Sequence, residues 1–249
     1  MKSKILIYLH HIFMKPSFLF TLEEARKNNI KLLAVLVDPD KTGHIDGLLS
    51  GDQSKISCFL VGGSLLSKGN VDSTIEAIRK KYQGPVFIFP GDFSQVSALA
   101  NGVLFLSLIS GRNPDLLIGK HVQFAPQIKQ SGIEVISCGY ILVNSGTPTS
   151  VEYISNTVPI PHNKPDIAAA TALAGEMLGM RCMYMESGSG AEHEVSEEMI
   201  RQVSTNINIP LIIGGGIRSK SQAEAAWNAG ATMVVVGTAI EENPGWLDA

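Results

Sequence analysis

Tyr184-Met185-Glu186-Ser187-Gly188-Ser189-Gly190 joins an acid to a glycine-rich turn at the end of an apolar run. Two more such turns follow: Gly214-Gly215-Gly216-Ile217-Arg218 and Gly237-Thr238, each about one strand–helix unit further on. Glycine lets backbone N–H groups approach a phosphate closely, and a following helix N-terminus favours negative charge. The amides of Ser187–Gly190, Gly215, Gly216 and Gly237, with the Thr238 hydroxyl, could together hold one phosphate. Alternation along a strand puts Tyr184 and Glu186 on one face and Met185 on the other. Glu186 could take a proton from a substrate hydroxyl that Tyr184 hydrogen-bonds; the alternative is a structural carboxylate capping the next helix.

A second group of oxygen ligands lies earlier in the chain. Val37-Asp38-Pro39-Asp40-Lys41 ends one apolar run and Val61-Gly62-Gly63-Ser64 ends the next. Mg²⁺ takes hard oxygen ligands, keeps several waters and bridges to substrate phosphates. Asp38, nearest the strand, with Ser64 beside it, is the candidate metal pair, and Asp40 is placed to cap the helix that follows. The six histidines show no spacing that suits zinc. Asp92 reads as a helix cap and Arg218 as a candidate anion contact; His162 and His193 fall in loops.

These residues need a scaffold. Eight short apolar runs read as strands: 32–37, 58–61, 86–89, 103–108, 135–143, 182–185, 211–213 and 233–236. Near-continuous apolar runs suit strands buried on both faces of a parallel sheet. Most gaps carry a helical pattern, at 71–82, 114–130, 166–178, 196–206 and 219–229. Ser196 and Ser219 read as N-caps, and Gly179 and Gly230 as stops. This alternation predicts a single-domain (β/α)8 barrel, the TIM-barrel class, with its site at the carboxyl ends of the strands. The stretch Asn144–Pro165, with Pro148, Pro159, Pro161 and Pro165, is too long for an ordinary connection and reads as a functional loop on that side.

The chain has 249 residues, 45% of them hydrophobic and 17% charged, with a formal charge of −3. No basic block suggests nucleic-acid binding. Cys58, Cys138 and Cys182 form no CxxC and read as buried reduced thiols, which points to the cytoplasm. Lys2 and Lys4 before Ile5–Leu9 faintly resemble a signal peptide. His10 and His11 interrupt that run and no cleavage site follows, so an amphipathic helix is expected within residues 1–29. No run approaches the ~18 apolar residues of a membrane span.

Together these motifs resemble the geranylgeranylglyceryl phosphate synthases, including the bacterial heptaprenylglyceryl phosphate synthases, and in particular their second subgroup. Ile160-Pro-His-Asn-Lys-Pro-Asp-Ile-Ala168 also resembles that family, and the likeness runs from about Leu32 to Thr238. It implies a Mg²⁺-dependent prenyltransferase that joins sn-glycerol 1-phosphate to a long all-trans prenyl diphosphate, geranylgeranyl foremost. It implies Asp38 and Ser64 as metal ligands, and Tyr184–Gly190, Gly215–Gly216 and Gly237–Thr238 as the glycerol phosphate site. Glu186 would be the base, and a dimer or larger homo-oligomer is implied. Leu36 stands where some members have lysine, and His162 where a residue such as arginine is expected. Other readings are a phosphate-barrel isomerase or synthase, a flavin-dependent barrel, and a barrel that binds phosphate or lipid without chemistry.

Overall fold

The computed structural model describes residues 17–49, 51–92 and 95–247. Eight parallel strands close a barrel in sequence order: β1 Leu32–Val37, β2 Cys58–Val61, β3 Val86–Ile88, β4 Gly102–Leu108, β5 Glu134–Leu142, β6 Cys182–Glu186, β7 Leu211–Gly214 and β8 Met233–Val236. Closure comes from β8 pairing with β1, in the register Leu32 to Met233 and Ala34 to Val235.

The strands read as uniform apolar runs because both faces are buried. Inward residues such as Ala34, Leu60, Phe87, Leu104, Ile136, Cys138, Cys182, Ile212 and Val235 fill the barrel. Outward residues such as Val35, Phe59, Val103, Ile141, Met185, Ile213 and Val234 pack beneath the helices. All three cysteines are buried with free thiols.

Helix α1, Phe18–Lys27, plugs the lower end of the barrel, with the Phe18 ring 4.8 Å from that of Phe87. The Glu134 carboxylate accepts from the Phe18 and Leu19 N–H groups at 2.9 and 3.0 Å. A remote acid thus satisfies α1's first donors and favours the positive end of its dipole. Of the span 1–29 where an N-terminal helix is expected, residues 1–16 lie outside the described residues, and α1 begins at Phe18 with Ser17 as its N-cap.

The other helices follow their caps. They are α2 Ile45–Leu48, α3 Val71–Arg79, α4 Lys120–Ser131, α5 Ser150–Ser155, α6 Pro165–Met177, α7 Glu197–Asn206, α8 Lys220–Ala229 and α9 Thr238–Glu242. Ser196 accepts from Met199 N–H at the start of α7, and Ser219 with Gln222 forms a capping box on α8. A π-turn, Asp115–Gly119, leads into α4 where one continuous helix from 114 is expected.

Strict alternation fails at one place. No α-helix joins β3 to β4 among the described residues; there Val96 and Ala100 of the connecting segment pack against the core instead. The loop 144–165 is also less irregular than its prolines suggest. It contains α5, and Ile160 forms a parallel bridge with Val143.

Candidate active site

The acid sits at the top of β6. Tyr184 and Glu186 point into the barrel, while Met185 packs outward beneath the helices, which removes its side chain from the site. β5 and β6 pair with Tyr140 opposite Tyr184 and Leu142 opposite Glu186. The Tyr140 hydroxyl reaches diagonally and donates to Glu186 Oε1. Glu186 is only 7% exposed. Burial pushes its carboxyl up to about 7, against the opposing effect of the Tyr140 hydrogen bond. A base near neutrality is well matched to a proton acceptor's task. Glu186 does not cap α7, because Ser196 already does.

Tyr140 is the functional residue that sequence reasoning missed. Its ring, with those of Tyr184 and Phe89, walls the space beside Glu186; centroids lie 4.6 Å apart for Phe89–Tyr184, 5.7 Å for Tyr140–Tyr184 and 6.1 Å for Phe89–Tyr140. The available signal was its position on β5, on the same face as Leu142 and two residues before it. The Tyr184 and Ser187 hydroxyls are buried with no hydrogen-bond partner among the described residues. Leaving a buried polar group unmatched costs about 1–3 kcal/mol. Two such groups beside one acid mark a place built for a polar ligand. Tyr184 needs Gly214 across from it, since a Cβ there would fall 2.2 Å from its hydroxyl.

The three glycine turns converge. Gly215 and Gly216 take positive φ, +69° and +77°. A Cβ on Gly215 would come within 2.7 Å of Gly188 N, so the turns after β6 and β7 touch backbone to backbone. Ser189 Oγ lies 3.3 Å from Thr238 Oγ1, which brings in the turn after β8. Gly237 precedes α9. Arg218 is not spare for an anion: its guanidinium donates to the Ala191 carbonyl at 2.8 Å and ties the β6 and β7 loops together.

Across the mouth, Asp38 takes the capping role expected of Asp40. Asp38 Oδ1 accepts from Asp40 N–H at 3.0 Å and caps the 3₁₀ turn Pro39–His44. Asp40 instead accepts from Ser67, Lys68 and Gly69, which clamps the loop after β2 and holds its carboxyl well below the usual range. Gly63 packs against Asp38, with a Cβ there falling 3.0 Å from Oδ1, so the carboxylate lies beside the Gly63–Ser64 backbone. Among the described residues no three His, Cys, Asp or Glu side chains cluster around a metal position. One half-buried carboxylate next to a serine still fits Mg²⁺, which commonly binds through one or two carboxylates plus waters and substrate phosphate. Lys41 is drawn away toward Glu241, at 3.5 Å. Leu36 faces Gly237 rather than supplying a charge.

Between these halves an apolar cleft opens. Phe89, Leu106, Leu108 and Leu116 line it, with Val151 and Ile154 of α5 on one wall and Tyr140 and Glu186 at its inner end. The long loop therefore contributes to the site through α5, held by Asn113 Nδ2 donating to the Ser155 carbonyl at 2.9 Å. Asp92 pairs with Lys120 at the edge of the cleft, and its backbone carbonyl accepts from Gln95 N–H at 3.0 Å. His162 and His193 are exposed. No helix among the described residues is long and apolar enough to cross a membrane.

A closed parallel barrel, with acid, glycine turns and cleft all at the carboxyl ends of its strands, defines a (β/α)8-barrel enzyme. The family model described as "PcrB family" matches residues 25–249, and the chain belongs to that family. It is 47% identical to the geranylgeranylglyceryl phosphate synthase of Chitinophaga pinensis over 222 residues, 88% of each chain. It is 46% identical to the enzyme of the same name from Flavobacterium johnsoniae over the whole of both chains. The crystal structure of (S)-3-O-geranylgeranylglyceryl phosphate synthase from Thermoplasma acidophilum, in complex with its substrate sn-glycerol-1-phosphate, superposes with a TM-score of 0.86. That match has 29% identity and covers 94% of this chain and 96% of that one.

Proposed function

We propose that this chain is a prenyltransferase that joins sn-glycerol 1-phosphate to an all-trans prenyl diphosphate, geranylgeranyl foremost, as an ether. The observation that carries the reading is the position of Glu186. This buried acid is held by Tyr140 between converging glycine turns and an apolar cleft. The family, the names of the relatives and the glycerol phosphate bound by the Thermoplasma enzyme support it.

The turns Ser187–Gly190, Gly215–Gly216 and Gly237–Thr238 hold the phosphate of the acceptor through backbone amides and hydroxyls. The Tyr184 and Ser187 hydroxyls satisfy themselves on its polar oxygens. Glu186, as carboxylate, accepts the proton of the attacking hydroxyl. That oxygen bonds to C1 of the prenyl chain as the C1–O bond to diphosphate breaks, and the electron pair leaves with pyrophosphate. The faces of Phe89, Tyr140 and Tyr184 border the site where allylic positive charge develops, and aromatic faces favour cations. Asp38 and the Ser64 oxygen would hold Mg²⁺, which would supply positive charge against the leaving diphosphate. Fixing the acceptor oxygen against C1 supplies a further large share of the rate.

Incubation with sn-glycerol 1-phosphate, Mg²⁺ and prenyl diphosphates of 10 to 35 carbons tests the reading. An acid-stable prenylglyceryl phosphate is expected with at least one length; no ether product with any length would end it. A homo-oligomer and a cytoplasmic location belong to the same proposal. The exposed Met177 and Leu178 at the end of α6, 77% and 79% accessible, support a subunit contact. A monomer in sedimentation at micromolar concentration would refute that part.

A further inference from the structure

The cleft does not stop inside the barrel. Its inner end is made by Tyr140 and Glu186, which face the barrel interior. Its outer end reaches Lys120 and His121 at the start of α4. That helix lies outside the sheet, because His121 bonds the Leu106 carbonyl at 2.8 Å and Ser107 Oγ at 3.1 Å. The cleft therefore crosses the rim of β4, on the flank where no helix joins β3 to β4 among the described residues.

A polar contact spans that outer end. The Lys120 ammonium, from α4, pairs with the Asp92 carboxylate, from the loop after β3. Both residues line the cleft, and their side chains are 38% and 34% exposed. Leu106 and Leu116 give the cleft apolar wall between that pair and the inner end. Beside Lys120 in the chain, Ile118 and Val122 are 61% and 66% exposed, so apolar surface also lies on the solvent side.

We propose that the Asp92–Lys120 pair is a strap across the outer end of the cleft, and that it limits the length of the prenyl tail the site accepts. The inference rests on the prenyl-transfer reading above. A tail that ends within the cleft leaves the strap closed. A longer one must part the two charges or bend away from them, and it loses that interaction in its bound state. Asp92 and Lys120 are specificity residues here and take no part in the chemistry.

The test compares kcat/KM for 35-carbon and 20-carbon prenyl diphosphates in the wild type, Asp92→Asn, Lys120→Met and the double variant. The 35-to-20-carbon ratio is expected to rise about fivefold in either single variant, the upper end for a partly exposed ion pair. The double variant should rise no further, because either change alone opens the strap. The exchanged pair Asp92→Lys with Lys120→Asp should return the ratio toward wild type, which a general loosening of the loop would not do. An unchanged ratio would overturn the strap. So would an equal loss at every length, which would make Lys120 a ligand of the diphosphate head. No ether product from the wild type at any length would overturn the prenyl-transfer reading itself, separately from the strap.

Discussion

Replacing Glu186 by glutamine should make the protein more stable and much less active, and the stability gain should depend on pH. The side chain is 7% exposed, and its carboxyl rises from an ordinary 4.5 to about 7 on folding. A raised carboxyl pKa means the folded state favours the protonated form. The group's contribution is thus most favourable below pH 4.5 and is lost as pH climbs through 7. The 2.5-unit difference corresponds to about 3 kcal/mol between pH 4 and pH 8.5. The substituted glutamine can still accept from Tyr140 through its amide oxygen, yet it does not ionise. For a domain of this size 3 kcal/mol corresponds to a difference in Tm of about 6–12 °C. Tm should be measured for both proteins from pH 4 to 8.5. The variant should gain on the wild type as pH rises, with most of the gain between pH 5 and 7.5. Turnover should fall about 10²–10⁴-fold, the usual contribution of a positioned base. Parallel Tm curves would refute the buried, near-neutral carboxyl, and near wild-type turnover would remove Glu186 as base.

Further outcomes follow from the same geometry. Tyr140→Phe removes a donor that stabilises ionised Glu186, so the rising limb of the kcat/KM–pH profile should move upward by about one unit; an unmoved profile would contradict the contact. Asp38→Ala should flatten the Mg²⁺ dependence of the residual rate, whereas an unchanged metal titration would reassign the ligand. Gly214→Ala forces a methyl to within 2.2 Å of the Tyr184 hydroxyl. Overpacking of this kind costs about 1–3 kcal/mol, to be read by denaturant unfolding, and full stability would show that the Tyr184 ring moves freely.

Much of the barrel was legible because its strands are buried on both faces and so form unbroken apolar runs. The caps on α7 and α8 were legible for a local reason, since Ser196 and Ser219 act on amides three residues away. What escaped depended on distant partners. Asp38 and Asp40 flank the same proline, and only the approach of Ser67–Gly69 decides which one caps and which one clamps. Asp92 reads as a helix cap in the sequence, and its pairing with Lys120, far along the chain, has no local signal. Tyr140 lies within the apolar run 135–143 and reads as core; its hydroxyl gains meaning only when β5 pairs with β6. That no α-helix joins β3 to β4 among the described residues was hidden by the rhythm of the units around it.

The central claim is that the glycerol hydroxyl, with Glu186 taking its proton, becomes the ether oxygen. Glycerol 1-phosphate labelled with ¹⁸O at the attacking hydroxyl tests this most directly, with Mg²⁺ and geranylgeranyl diphosphate as partner. Full retention of label in the ether product, and none in the released pyrophosphate, is the predicted result. Label in pyrophosphate, or an unlabelled product, would contradict the account.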